Sequence, residues 1–236
     1  MEFKEKLLET LRAVRPVLRE PGVMVVGSEV PNLLRIDAPR PLVISRDLDI
    51  AVPVHAHGAV KQRLREISGL HPSGDEPSVW VPDGSLLEVN FVGIDPGLRD
   101  PALAHVLEDP VLPMMVFGML SLLEPGKPVE IDGFPVPVPR LAGLLLEKLA
   151  TERSGVKGDR DLLVALALLL VAGEDDLVEV EHACEGLPPE LQHAVRSNLT
   201  ILSLMEPNPD MPDPRPERAR VLGLLRRLEK AGGSTA

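Results

Sequence analysis

The chain has 236 residues, 44% hydrophobic and 26% charged, with 25 Lys+Arg against 36 Asp+Glu for a formal net charge of −11. That length suits one large domain or two small ones, and one Trp, four Phe and no Tyr leave Leu, Val and Ala to fill the core. Few rings argue against single-stranded nucleic acid on aromatic platforms, the acidity argues against broad phosphate-backbone binding, and a lone Cys184 excludes an internal disulfide or Cys-rich zinc site.

Residues 2–19 carry Phe3, Leu7, Leu11, Val14 and Leu18 on one helical stripe. The charges scattered through this start do not make a secretory signal. Pro21-Gly22 ends the helix, and Val23–Val26 reads as a short buried strand running into Gly27-Ser28. After an irregular Pro-containing stretch, 47–52 (DLDIAV) alternates polar and apolar residues as a half-buried strand does. A helix is expected over 57–68 with Val60, Leu64 and Ile67 inward, and a strand over Ser85–Val92 after the turn Pro82-Asp83-Gly84. Residues 110–139 suggest strands and hairpins, with Pro135, Pro137 and Pro139 making the last an edge strand or an extended connector. Helices follow at 140–153, 160–172, 176–184, 188–204 and 216–231. The longest apolar run, 162–172, is too short to cross a bilayer and reads as a buried helix. Strands mixed with helices, then helices alone, predict an α/β or α+β domain over 1–139 and a helical domain over 140–236. A soluble cytoplasmic protein without membrane contact is the simplest expectation.

Three pieces of the front half carry chemistry. The first strand delivers Gly27-Ser28, a small-residue turn where backbone N–H groups can approach a phosphate. Asp47-x-Asp49 then places two carboxylates on one strand face. Their mutual repulsion is relieved by a divalent cation, and hard oxygen ligands suit Mg²⁺ completed by substrate phosphates. Glu88, on the later strand, is a third acid that an adjacent strand can bring to the same place, and two-metal phosphoryl chemistry needs such a set. Asn90, two residues on, is the alternative occupant of the metal-facing position.

In this order VVGSEV, SRDLDIAV and LLEVNFVG resemble the DNA-polymerase-β-like nucleotidyltransferase superfamily: strand, Gly-Ser, short helix, Asp-x-Asp strand, third acid. Residues 144–166 (LLLEKLATERSGVKGDRDLLVAL) are similar to a helix region of bacterial nucleotidyltransferases, including abortive-infection-type toxins, though the spacing of Lys157, Asp159 and Asp161 differs. The resemblance implies an α+β fold, with a nucleotidyltransferase-like mixed sheet and helices followed by a C-terminal helical region that completes the nucleotide site. It implies a nucleotidyltransferase moving a nucleoside monophosphate from an NTP to an acceptor hydroxyl, with two Mg²⁺ ions (Mn²⁺ the alternative) on Asp47, Asp49 and Glu88. Gly27, Ser28, Arg46 and Lys148 would bind the nucleotide. The acceptor (small molecule, protein or tRNA end) and the base are left open. A non-catalytic binding or regulatory module of the same fold, and a toxin held by a cognate antitoxin, are the alternatives; a homo-oligomer is a further candidate assembly.

Other residues have plainer readings. Lys148 lies on the inward stripe of its helix, where a lysine snorkels outward or meets negative charge. Asp159 reads as a helix N-cap and Asp161 as first-turn charge. Arg153 and Lys157 are read as solvated, with nucleotide contact the rarer role. His55-x-His57 lacks a third ligand and reads as structural or solvated, and Cys184 as a buried thiol. The acidity is concentrated: residues 174–190 hold seven acids and no Lys or Arg, leaving the rest of the chain at −4.

Overall fold

The computed structural model describes residues 2–98, 100–151, 156–207 and 213–232; of residues 156, 157, 231 and 232 it describes the backbone alone. The chain divides into two compact units, Met1–Arg140 and Leu141–Ala236.

The first unit opens with helix α1 (Phe3–Leu18), which buries Leu7, Leu11, Val14 and Leu18 as the stripe predicts, together with Thr10. Thr10 Oγ1 donates to the Lys6 carbonyl and accepts from the Leu87 N–H at 2.9 Å, so a buried hydroxyl ties the helix to the residue that precedes a sheet strand. Strand β1 (Met24–Val26) leads through a 3-10 turn (Gly27–Glu29) into the short helix α2 (Val30–Leu34). Then come β2 (Asp47–Pro53), α3 (His57–Arg63), β3 (Leu70–Pro72), β4 (Val79–Pro82), β5 (Glu88–Ile94), β6 (Ala104–Leu107) and β7 (Met114–Phe117).

These seven strands form one mixed sheet in the order β1-β2-β5-β4-β3, with β7 pairing β5 and β6 pairing β7. Strand β5 is central, parallel to β2 along its length, and its other edge is shared between β4 near Val89 and β7 at Gly93. One face of these strands is the core: Leu48, Ile50, Val89 and Phe91 are all buried, each contributing about 1.5–3 kcal/mol. Trp80 on β4 packs edge-on against Phe91, ring centroids 6.2 Å apart, and is buried there. The α3 helix stops at Arg63 and a 3-10 turn covers Leu64–Glu66, so Ile67, expected within the helix, lies beyond its observed end. Strands β3, β4 and β6 were not anticipated.

A separate hairpin joins β8 (Val129–Ile131) to β9 (Phe134–Val136) through Asp132-Gly133, both at positive φ, as a two-residue primed turn requires. The prolines behave as anticipated: Pro135 sits on the edge of this two-stranded hairpin, and the Pro137 carbonyl accepts from Val25 N–H at 2.9 Å.

An ion pair beside the sheet sets an acid dependence. Lys61 Nζ lies 2.5 Å from Asp109 Oδ2, while Val111 and Leu112 N–H donate to Asp109 Oδ1. The Lys61 hydrogen bond, with those two amides, holds the Asp109 carboxyl well below the usual range. A depressed folded-state value stabilises the fold above the unfolded carboxyl's pKa of about 4 and loses that contribution as pH falls below it. Between pH 5 and 2 the melting temperature of wild type is expected to fall more steeply than that of Asp109→Asn; parallel curves would refute this.

Among its described residues the second unit has helices and no strand: α4 (Leu141–Ala150), α5 (Val156–Val171), α6 (Glu174–Glu185), α7 (Pro189–Leu204) and α8 (Arg218–Gly232). Helix α4 is its centre, packed against α5, α6 and α7 and buried at every position but Gly143. Leu162–Leu169 of α5 are likewise all buried, as the apolar run predicts. Asn198 of α7 donates to the Leu149 carbonyl at 2.7 Å, satisfying an end of α4. The acids of α6 find cations in α8, where Arg227 pairs with both Glu174 and Glu181. Among the described residues no helix is long and apolar enough to cross a membrane.

Candidate functional site

The site begins with strand register. Parallel pairing sets Asp47 opposite Glu88 and Asp49 opposite Asn90. With Leu48, Ile50, Val89 and Phe91 turned into the core, the alternation of a strand puts all four polar side chains on the other face. Glu88 and Asn90 are therefore not alternatives, since both lie beside the aspartates. Asn90 Nδ2 donates to Asp49 Oδ1 at 3.0 Å, whereas Glu88 is exposed across from Asp47. Ser45 Oγ donates to Asp47 Oδ1. Each aspartate thus has one oxygen oriented by a neutral neighbour. Arg46 is exposed immediately before the pair, and its carbonyl accepts from Glu88 N–H at 3.2 Å.

On the other side of β2, antiparallel β1 sets Val26 opposite Asp49, which brings Gly27 against that carboxylate. Gly27 has φ +77°, and a Cβ there would overlap Asp49 Oδ2. Only glycine meets both demands, so the Gly-Ser turn and the Asp-x-Asp strand are fitted to each other at one atom. Gly27→Ala is expected to destabilise the first unit by about 2 kcal/mol or more, from the left-handed backbone penalty plus the displaced carboxylate. A melting temperature within a degree of wild type would contradict the fit. Ser28 and Glu29 are buried with Gly27.

Asn32 of α2 completes the support and had no signal in the sequence. Its amide donates to Glu29 Oε2 at 3.0 Å and to the Val43 carbonyl at 2.7 Å, while Oδ1 accepts from Leu42 N–H at 2.8 Å. The segment entering β2 is thereby stitched to the turn after β1. Ser45 was missed for a similar reason: a serine two residues before an aspartate is too common a pattern to single out.

Among the described residues no group of three His, Cys, Asp or Glu side chains stands ready to hold a metal. What the strand offers is the half-buried pair Asp47 and Asp49, an all-oxygen donor set of the kind Mg²⁺ uses when substrate phosphates supply further ligands.

In the second unit Lys148 meets negative charge, as its place on the inward stripe allowed. Its Nζ lies 3.1 Å from Glu147 Oε2 and 3.2 Å from Asp161 Oδ1, and the three residues are 9%, 4% and 7% exposed. Helix α5 starts at Val156, so Asp159 sits inside the first turn rather than at the N-cap. Asp161 lies beyond that turn, as a buried partner of Lys148. Arg153 and the Lys157 side chain lie outside the described residues. His57 Nε2 donates to the Leu112 carbonyl at 2.8 Å, a structural role, and His55 is exposed. Cys184 is buried, and burial pushes its thiol pKa up.

No family model matches the chain, and no curated protein matches it. Among solved structures it is similar to an antigenic nucleotidyltransferase-like protein from Paracoccidioides brasiliensis, at 15% identity and a TM-score of 0.49 over 94% of this chain and 93% of that one. It is also similar to JHP933 from Helicobacter pylori, at 15% identity and a TM-score of 0.40 over 99% and 97%. A nucleotidyltransferase-like protein is thus among the chain's structural neighbours.

Proposed function

We propose that the chain is a nucleotidyltransferase whose reaction centre is the Asp47–Asp49 face of β2. The observation that supports this most is the fit at Gly27: a left-handed glycine closing on Asp49 Oδ2, beside a second aspartate and in register with Glu88 and Asn90. A mere solvent-facing alternation on a strand needs no such glycine. The acceptor hydroxyl oxygen would form a bond to the α-phosphorus of an NTP as the bond to the bridging oxygen breaks and pyrophosphate leaves. Glu88, exposed on the same face, would help activate the acceptor by taking the hydroxyl proton. Gly27 and Ser28 would hold the triphosphate through backbone N–H and hydroxyl donors, with Arg46 offering positive charge. Asp47 and Asp49 would carry Mg²⁺, which when bound neutralises the charge that develops on the phosphates; Glu88 is the third candidate ligand. Lys148 is assigned to phosphate by the resemblance and to Glu147 and Asp161 by its contacts.

Isothermal titration of Mg·ATP, Mg·GTP, Mg·CTP and Mg·UTP into wild type and Asp47→Ala/Asp49→Ala tests the reading. At least one nucleotide is expected to bind wild type and not the double variant, and no binding of any nucleotide to wild type sinks the proposal. The amide of Asn90 against Asp49 favours one second reading, a nucleotide-binding module without turnover. Metal-dependent binding with no pyrophosphate release from any acceptor pool would select it.

A further inference from the structure

The segment that enters β2, residues 35–44, lies against the start of α1 and borders an open cavity of about 460 Å³. That volume falls within the range of cavities that take drug-sized ligands. Its walls are apolar, with Phe3, Leu7, Ile36, Leu42 and Ile44 prominent among them. Its charged lining is Lys4, Arg35 and Arg40 against a single acid, Glu2.

Among the described residues the three cations have no acid partner, unlike several others of the first unit. Elsewhere in the first unit Arg12 pairs with Asp132, Lys61 with Asp109, and Arg63 with Glu20 and Glu66. Lys4, Arg35 and Arg40 pair with nothing among the described residues. A protein of net charge −11 thus sets three cations against one acid around one apolar hollow. Like charges held near each other repel, so an anion seated among them lowers the energy of the site. The hollow is also preformed. Pro39 and Pro41 fix φ on either side of Arg40, and Asn32 pins Leu42 and Val43 from below. Little ordering remains to oppose binding.

The aspartates do not line the cavity, but they follow its last lining residue closely along the chain. Ile44 lines it, and the next residue, Ser45, bonds Asp47. Three residues of extended chain span at most about 10 Å, so a ligand seated in the cavity can extend a hydroxyl toward the Asp47–Asp49 face. We infer that this cavity is the acceptor subsite and that the acceptor is a small molecule with an apolar body and an anionic oxygen headgroup, a carboxylate or a phosphate monoester, held by Arg35 and Arg40. The acceptor role rests on the nucleotidyltransferase reading, whereas the binding site does not.

Calorimetry with hexyl phosphate, hexanoate, 1-hexanol and inorganic phosphate tests it on the full chain. One of the two amphiphilic anions is expected to saturate a single site, and the tighter of them identifies the headgroup. Hexanol and inorganic phosphate should each bind at least tenfold more weakly. Arg35→Gln/Arg40→Gln should weaken the anion at least tenfold while leaving hexanol binding and the melting temperature unchanged, since both side chains are exposed and unpaired. Saturating amounts of the tightest Mg·NTP should leave the anion's affinity within threefold. No saturable binding, equal binding of hexanol or of inorganic phosphate, or an indifferent double variant overturns the site. Competitive displacement by Mg·NTP overturns the acceptor role. Anion binding without any Mg·NTP binding removes the nucleotidyltransferase reading and the acceptor role with it. Mg·NTP binding without anion binding removes the cavity inference alone.

Discussion

Asp49→Asn is expected to lower pyrophosphate release in the presence of NTP and acceptor by about 10³-fold or more, equivalent to several kcal/mol of barrier. The substitution removes one charge and almost no volume. An amide in the same place still accepts from Asn90 Nδ2 and still fits beneath Gly27, so the melting temperature should stay close to that of wild type. What disappears is the anionic oxygen that a divalent cation needs in a site with only two half-buried aspartates. Asp47→Asn should behave alike, because Ser45 orients Asp47 as Asn90 orients Asp49. Glu88→Gln is expected to be milder, since the side chain is exposed and no described contact fixes it on the pair. Retention of activity within tenfold of wild type in Asp49→Asn would remove this residue from the chemistry.

Lys148→Met should lower the stability of the second unit by about 3–5 kcal/mol, the typical cost of deleting one partner from a buried ion pair. Methionine keeps most of the lysine stem's volume, so the loss is one of charge. Glu147 and Asp161 would remain nine-tenths buried without the ammonium 3.1 and 3.2 Å away. For a helical unit of this size the melting temperature should fall by roughly 12 °C or more. Adding Asp161→Asn to Lys148→Met removes one of the two acids and should restore part of the loss. A shift under 2 °C in Lys148→Met, read by far-ultraviolet circular dichroism, would show that the cluster contributes nothing. If nucleotide affinity falls while the melting temperature holds, phosphate contact rather than this cluster accounts for the lysine.

Much of this arrangement was legible before any coordinates. The α1 stripe, the alternation of 47–52 and the apolar run of α5 are periodic over enough residues to name both the element and its buried face. The Asp-Gly step between β8 and β9 is a strong short-range hairpin signal. Strands β3, β4 and β6 were not legible because each is three or four residues long, two of them end in proline, and none alternates. Their pairing is a property of the sheet rather than of the segment. The same holds at the site. Sequence spacing puts Glu88 and Asn90 on one face but cannot say which aspartate each will meet, because register between β2 and β5 is a long-range fact. Asp161 was misplaced by a shift in one helix start. Once α5 begins at Val156, a residue expected in the first solvated turn becomes an interior one.

The indole of Trp80 has a practical consequence. It is the chain's only tryptophan, and there is no tyrosine. Ultraviolet emission excited near 295 nm therefore comes from one ring in the sheet unit, on the strand residue that faces Val89, between Glu88 and Asn90. Five helices make the second unit optically silent in emission yet dominant in circular dichroism at 222 nm. A single heated sample thus carries two signals, emission from the first unit alone and a dichroism weighted toward the second. Separate midpoints would show that the two units melt one after the other, and coincident midpoints that they melt together. The same ring, one strand away from the polar face of β5, offers an unlabelled reporter for ligands arriving there.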